Sequence, residues 1–130
     1  VTIKCDYCSR RADLVSGRKI YPHRPDLFDL QFWLCTRCDA WVGCHKNSNA
    51  IPLGRLADEE LRMAKQGAHA AFDPIWKQGI MDRKQAYRWL ADALCIPAKS
   101  CHIGMFTPEQ CYSVVRVCNQ FKRAYYGKSL

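Results

Sequence analysis

Gln31-Phe32-Trp33-Leu34-Cys35-Thr36-Arg37-Cys38-Asp39-Ala40-Trp41-Val42 is the stretch that decides the fold of the first half of this chain. Gln31–Leu34 and Ala40–Val42 are short apolar and aromatic runs with strand character. Between them, Cys35 and Cys38 have the spacing that lets a tight turn present two sulfurs on one side. Cys5 and Cys8 repeat that spacing upstream, with 26 residues between the two pairs. Two such turns facing each other complete a tetrahedron of thiolates, which is the coordination zinc takes in closed sites. The sequence therefore predicts one zinc ion on Cys5, Cys8, Cys35 and Cys38. With four protein ligands no position is left for water, so the ion is structural, not catalytic. A redox Cys-x-x-Cys would need a thioredoxin-like βαβ unit, which is absent here.

Around the knuckles, Arg18–Tyr21 reads as a further strand. Two prolines in Tyr21-Pro22-His23-Arg24-Pro25-Asp26 forbid helix and force an extended or turned path. Lys46–Pro52 reads as a loop and as the best internal boundary. Residues 1–55 are thus a zinc-ribbon-like module.

From Leu56 the pattern becomes helical. Ala57, Leu61, Ala64, Ala68 and Phe72 recur at helical spacing behind the acidic turn Asp58-Glu59-Glu60. Pro74 and Gly79 are expected to bracket a short turn carrying Ile75 and Trp76. Asp82 with Gln85 forms a capping box that opens a second helix, and Pro97 stops it. Thr107-Pro108-Glu109-Gln110 opens a third, which Gly127 ends. The expected fold class is α+β: the zinc-ribbon-like β module of residues 1–55 packed on about three helices from residues 56–130, as one compact unit.

The chain has 130 residues, nine cysteines and a formal net charge of +8. A zinc ion on four thiolates contributes −2, leaving the loaded protein near +6. The basic excess is +4 in residues 1–55 and +4 in residues 56–130, so there is no basic tail. This balance points to nucleic acid or to an acidic protein surface as partner. Nine cysteines cannot all pair internally, and the Cys-x-x-Cys pairs suit a reducing compartment. No apolar run reaches the length of a membrane span and no signal-peptide layout opens the chain, so the expectation is a cytoplasmic protein away from membranes.

Several residues are candidates for contact. Arg10, Arg11, Arg18, Lys19, Arg24, Arg37 and Lys46 would track phosphates, and His23 joins them on the proline loop. Lys4, Arg10, Arg11 and Arg37 also balance the charge of the zinc site. Arg83, Lys84 and Arg88 share a polar helix face. Tyr7, Tyr21, Phe32, Trp33 and Trp41 include base-stacking faces, although Trp33 and Trp41 better suit the ribbon core. The pairs Cys44-His45 and Cys101-His102 offer a second metal site, against which stands the opposite pointing of adjacent residues in extended chain. His69 reads as a half-buried, hydrogen-bonded histidine. Cys95, Cys111 and Cys118 read as small buried hydrophobes. The deaminase, metalloprotease, phosphate-loop and dinucleotide signatures are all absent, and no catalytic set is complete.

The stretches CDYC, IYPHRPDL, FWLCTRCDAWVGCH, PLGRLAD, AHAAFDPIW, AYRWLA and CHIGMFTPEQC together resemble a small bacterial and bacteriophage family, a zinc-finger-containing domain of unknown function. The resemblance runs over nearly the whole chain. It implies zinc ligation by Cys5, Cys8, Cys35 and Cys38 and a phage or bacterial cytosolic origin. It implies no activity. Three functions follow in order: a nucleic-acid-binding module, a small phage factor that binds a host protein, and a metal-dependent hydrolase using a second, open site.

Overall fold

The computed structural model describes residues 2–127. Its chain contacts group residues 1–60 and residues 61–130 into two units. The fold is α+β, with the strands in the first unit and the long helices following them.

In the first unit, strands β1 (Asp13–Ser16), β2 (Gln31–Cys35) and β3 (Ala40–Gly43) form an antiparallel sheet in the order β1-β2-β3. The register pairs Leu14 with Trp33 and Trp33 with Val42, while Cys35 pairs with Ala40 at the β2–β3 turn. The central strand is covered on both faces, so Phe32, Trp33, Leu34 and Cys35 are all buried. Alternation then separates two packings. Trp33 and Cys35 join Cys5, Ala12, Ala40, Ala50 and Leu56 in one apolar cluster. Phe32 on the opposite face meets the edge of Tyr21 at 5.8 Å between ring centroids, and Tyr21 in turn meets Trp41 at 6.3 Å.

The outer edge of β3 is sealed by residues 51–57. The backbones of Trp41 and Ala57 exchange two hydrogen bonds, Leu53 N–H donates to Gly43 O, and His45 N–H donates to Ile51 O. This covers an edge that would otherwise offer unpaired N–H and C=O groups to another chain. Inside the loop so formed, Trp33 Nε1–H donates to the carbonyl of Ala50 at 2.8 Å. Ala50 adopts a positive φ of 57°, an unfavourable conformation for an alanine.

The expected strand Arg18–Tyr21 is a helix instead: α1 spans Gly17–Ile20. Gly17 explains the change. Its N–H donates to Leu30 O, and Tyr21 N–H closes the turn on Gly17 O. The backbone of Leu27, in the tight turn Pro25–Leu27, crosses directly over its α-carbon. The strand composition of Arg18–Tyr21 is overridden by that close approach.

The second unit holds most of α2 (Glu59–Lys77), with α3 (Arg83–Leu94) and α4 (Pro108–Gly127). Both predicted caps are present. Asp82 Oδ1 accepts from Gln85 N–H at 2.7 Å, and Gln85 Oε1 accepts from Asp82 N–H. Thr107 Oγ1 accepts from Gln110 N–H, while Gln110 Oε1 accepts from Thr107 N–H at 2.9 Å. The expected turn at Pro74 is absent: α2 runs through the proline to Lys77. Pro74 stands one turn from the helix end, and Phe72 and Ile75 on either side of it are fully buried. Burying both side chains stabilises helix by roughly 1.5–3 kcal/mol each, which offsets a proline penalty of about 3 kcal/mol. The core of this unit also takes in Leu90, Cys101, Ile103, Phe106, Cys111, Val114 and Cys118. Cys95 departs from expectation. It is exposed, because it closes α3 in the left-handed conformation with φ 58°.

Candidate metal centre

Each cysteine pair is carried by a turn with its own hydrogen bonds. In the first knuckle, Cys5 N–H donates to Arg10 O at 2.8 Å and Ser9 N–H donates to Cys5 O at 2.9 Å. Tyr7 N–H points at Cys5 Sγ, 3.4 Å away. The second knuckle is the turn of the β2–β3 hairpin, held by the Cys35–Ala40 pair. In both, the residue after the second cysteine has a left-handed backbone: Ser9 with φ 64° and Asp39 with φ 52°. That conformation reverses the chain after the second sulfur has been placed.

The four sulfurs lie within 4.8 Å of one another. Cys8 Sγ and Cys35 Sγ are 3.7 Å apart. A tetrahedral ion with zinc–sulfur bonds of about 2.3 Å separates its ligands by about 3.8 Å. A disulfide needs about 2.05 Å, and all nine cysteines are free thiols. Cys5 and Cys35 are buried, and Cys8 and Cys38 are partly exposed at the surface. The donor set, spacing and burial fit one structural zinc ion.

Electrostatics of the metal-free thiols show why an ion belongs there. The Arg10 backbone N–H bonds the Cys8 sulfur and draws its pKa down to about 7. Burial pushes Cys38 up to about 12, and the neighbouring sulfurs add to that rise. Burial likewise raises Cys5. Four thiolates in so small a volume repel one another, and a divalent cation removes the repulsion. When bound, zinc supplies a tetrahedral tie between the two knuckles.

The basic residues around the knuckles are at the surface. Arg10, Arg11, Arg18, Lys19, His23, Arg24, Arg37 and Lys46 are all exposed. Arg24 is engaged locally: its guanidinium donates twice to Asp26, at 2.9 and 2.6 Å, which lowers the Asp26 pKa. Arg18 lies over the Phe28 ring at 4.9 Å. Arg10, Arg11, Lys19, Arg37 and Lys46 make no ion pair among the described residues. Arg83 and Arg88 are exposed on α3, and Arg83 lies over the rings of Trp76 and Tyr87 at 5.5 and 5.0 Å.

The aromatic candidates divide. Phe32 and Trp33 are core, so neither offers a stacking face. Tyr21 and Trp41 are half-buried against each other. Tyr7 is exposed, with its hydroxyl accepting the Asp58 N–H at 3.1 Å.

Cys44 and His45 fall in the first unit, where they help line a shallow cavity of about 270 Å³ with Asp29, Lys46 and Asn47. Cys101, buried, and His102, exposed, fall in the second. Among the described residues, Cys5, Cys8, Cys35 and Cys38 are the one group of three or more ligand side chains close enough to share an ion. His69 is exposed, not half-buried, and its Nδ1 meets Asp73 Oδ1 at 3.2 Å one turn along α2.

This geometry defines a zinc-finger module of the closed, four-thiolate kind. The chain belongs to the family described as a zinc-finger-containing domain, which it matches over residues 1–121. No curated protein and no solved structure matches it. No helix among the described residues is long and apolar enough to cross a membrane.

Proposed function

We propose that the chain is a zinc-stabilised nucleic-acid-binding module that works in a reducing compartment, the cytoplasm of a bacterium or of a phage-infected cell. One observation carries the binding reading. Arg10, Arg11 and Arg37 stand exposed beside the two knuckles and make no ion pair among the described residues. The −2 charge of a loaded site does not need three fixed cations, and rigid turns hold these in position for phosphates. Two Cys-x-x-Cys pairs gathered for a metal suit a reducing compartment.

Fluorescence anisotropy with single- and double-stranded DNA and RNA tests this. Affinity should fall steeply with added salt, with a log–log slope of about 0.7–0.9 per neutralised phosphate. The triple variant Arg10→Ala, Arg11→Ala, Arg37→Ala should bind more weakly and with a shallower slope. The absence of binding at 50 mM salt, or a salt-independent affinity, would refute it.

A second reading, a factor that binds a host protein through apolar contact, has its own observation. Ile51 and Leu53, on the segment that seals β3, are 55% and 56% exposed. Recovery of one stoichiometric partner, lost in Ile51→Ser with Leu53→Ser, would favour it.

A further inference from the structure

The stacking faces expected in the zinc module are mostly buried, and a set of exposed ones occurs elsewhere. On the last turns of α4, aromatic rings form a continuous ladder. Trp89 from α3 meets Phe121 at 5.0 Å between centroids. Phe121 stacks with Tyr125 one turn later at 5.8 Å, with 23° between the planes. Tyr125 then meets Tyr126 edge-on at 5.2 Å and 88°. The ladder runs from half-buried Trp89 and Phe121 to the surface, where Tyr125 is 46% and Tyr126 50% exposed. Tyr126 is held by its hydroxyl, which donates to Gln78 Oε1 at 3.4 Å. Lys122 and Arg123 lie in the same turn, between the rings in sequence. From Gln110 to Gly127 the helix contains no Asp or Glu.

We propose that this end of α4 is a stacking platform for single-stranded nucleic acid, with Tyr125 and Tyr126 receiving bases and Lys122 and Arg123 receiving phosphates. The proposal rests on the nucleic-acid reading above and names the form of the ligand. Three features lead to it. Phe121 covers one face of Tyr125, and what the two half-exposed tyrosines leave to solvent can stack only on bases whose own faces are unpaired, which a duplex hides except at its ends. Half-buried Lys122 stands four positions and exposed Arg123 three positions before Tyr126, so both cations neighbour that ring on the helix and set phosphate attraction beside stacking. The rings are already fixed by one another and by Gln78, so binding orders little that was free. A second copy of this chain is the poorer occupant, because apposing two α4 ends would bring Lys122 and Arg123 of each copy face to face.

The test compares labelled single-stranded and duplex oligonucleotides of one sequence on the zinc-loaded full chain. Tyr125→Ala and Tyr126→Ala should each weaken single-strand binding by roughly ten-fold, since a stacked base contributes about that much. Tyr125→Phe should retain it. Each truncation also removes a ring contact inside the ladder, so a melt first sets a temperature at which every variant is fully folded, and binding is compared there. The arms separate the two readings. If the tyrosine variants bind like wild type while the Arg10, Arg11, Arg37 variant loses affinity, the platform is wrong and the zinc-module reading stands. If the tyrosine variants lose single-strand binding and the arginine variant does not, the platform stands alone. Preference for duplex, or concentration-dependent dimerisation abolished by Tyr126→Ala without any oligonucleotide binding, would overturn the proposal.

Discussion

Cys8 and Cys35, 27 positions apart in sequence, bring their sulfurs to 3.7 Å. That is the separation of two ligands on one tetrahedral zinc ion, and it is too long for a disulfide. The same sulfurs border the apolar cluster built on Trp33 and Leu56, so metal and core are one stabilising unit in residues 1–60. Removing zinc should therefore unfold this unit. A strong chelator should abolish the β signal in circular dichroism and render the segment protease-sensitive, and added zinc should restore both. Zinc binding of such sites contributes on the order of 10 kcal/mol. Cys35→Ser should reproduce the effect of chelation at any zinc concentration tested.

Ser9 and Asp39 end the two knuckles with φ of 64° and 52°. Left-handed backbone costs an ordinary residue roughly 1–2 kcal/mol, and glycine pays about 0.5–1 kcal/mol in unfolded-state entropy. Ser9→Gly should thus stabilise the zinc-loaded protein by up to about 1 kcal/mol. Asp39→Gly should gain less, because aspartate tolerates this conformation better. Thermal melts at one fixed zinc concentration measure both, since free zinc itself shifts the midpoint. Destabilisation by Ser9→Gly would show that the serine makes a contact worth more than the strain.

Gly17 tests the unexpected helix. A β-carbon there would run into the Leu27 carbonyl, which is backbone and cannot swing away. Gly17→Ala should destabilise by about 1–3 kcal/mol, the usual cost of overpacking, despite alanine's better helix propensity. Denaturant titration would reveal it as a lower midpoint. A gain in stability would mean that the Pro25–Leu27 turn does not sit over α1.

The buried thiols of the second unit predict an alkaline sensitivity. Burial pushes Cys118 from its ordinary 9.0 up to about 11, and raises Cys101 and Cys111 as well. The unfolded chain ionises these groups first, so above pH 9 the folded state holds more protons. Their contribution is intact below about pH 8.5 and is lost as pH rises toward 11. For Cys118 the loss is on the order of 2 kcal/mol. Urea titrations of the zinc-loaded chain at pH 8, 9, 10 and 10.5 should show the stability gap between wild type and Cys118→Ala closing. A constant gap would contradict the assignment.

What could be seen in the sequence follows a physical division. The knuckles, the strands at Gln31 and Ala40 and the caps at Asp82 and Thr107 depend on neighbours a few positions away, and each was legible. Gly17 and Pro74 were misleading because distant contacts decide them: the Leu27 carbonyl for one, the burial of Phe72 and Ile75 for the other. Cys95 looked like core by composition, yet its left-handed backbone at the end of α3 turns it to solvent. For the candidate site, the four zinc ligands were legible because spacing alone identifies them. The aromatic surface was not. Phe32 and Trp33 carry the composition of stacking residues, but central-strand burial removes them. The exposed rings of Tyr125 and Tyr126 give only a faint signal, a Lys-Arg pair between Phe121 and two adjacent tyrosines.

X-ray absorption at the zinc edge, on protein loaded with one equivalent of metal, tests the four-thiolate site most directly. Four sulfurs at about 2.3 Å and no nitrogen or oxygen shell is the expected spectrum. Elemental analysis of the same sample should give one zinc per chain. A shell of nitrogen or oxygen at about 2.0–2.1 Å would place a histidine or water on the ion and contradict a closed site on Cys5, Cys8, Cys35 and Cys38.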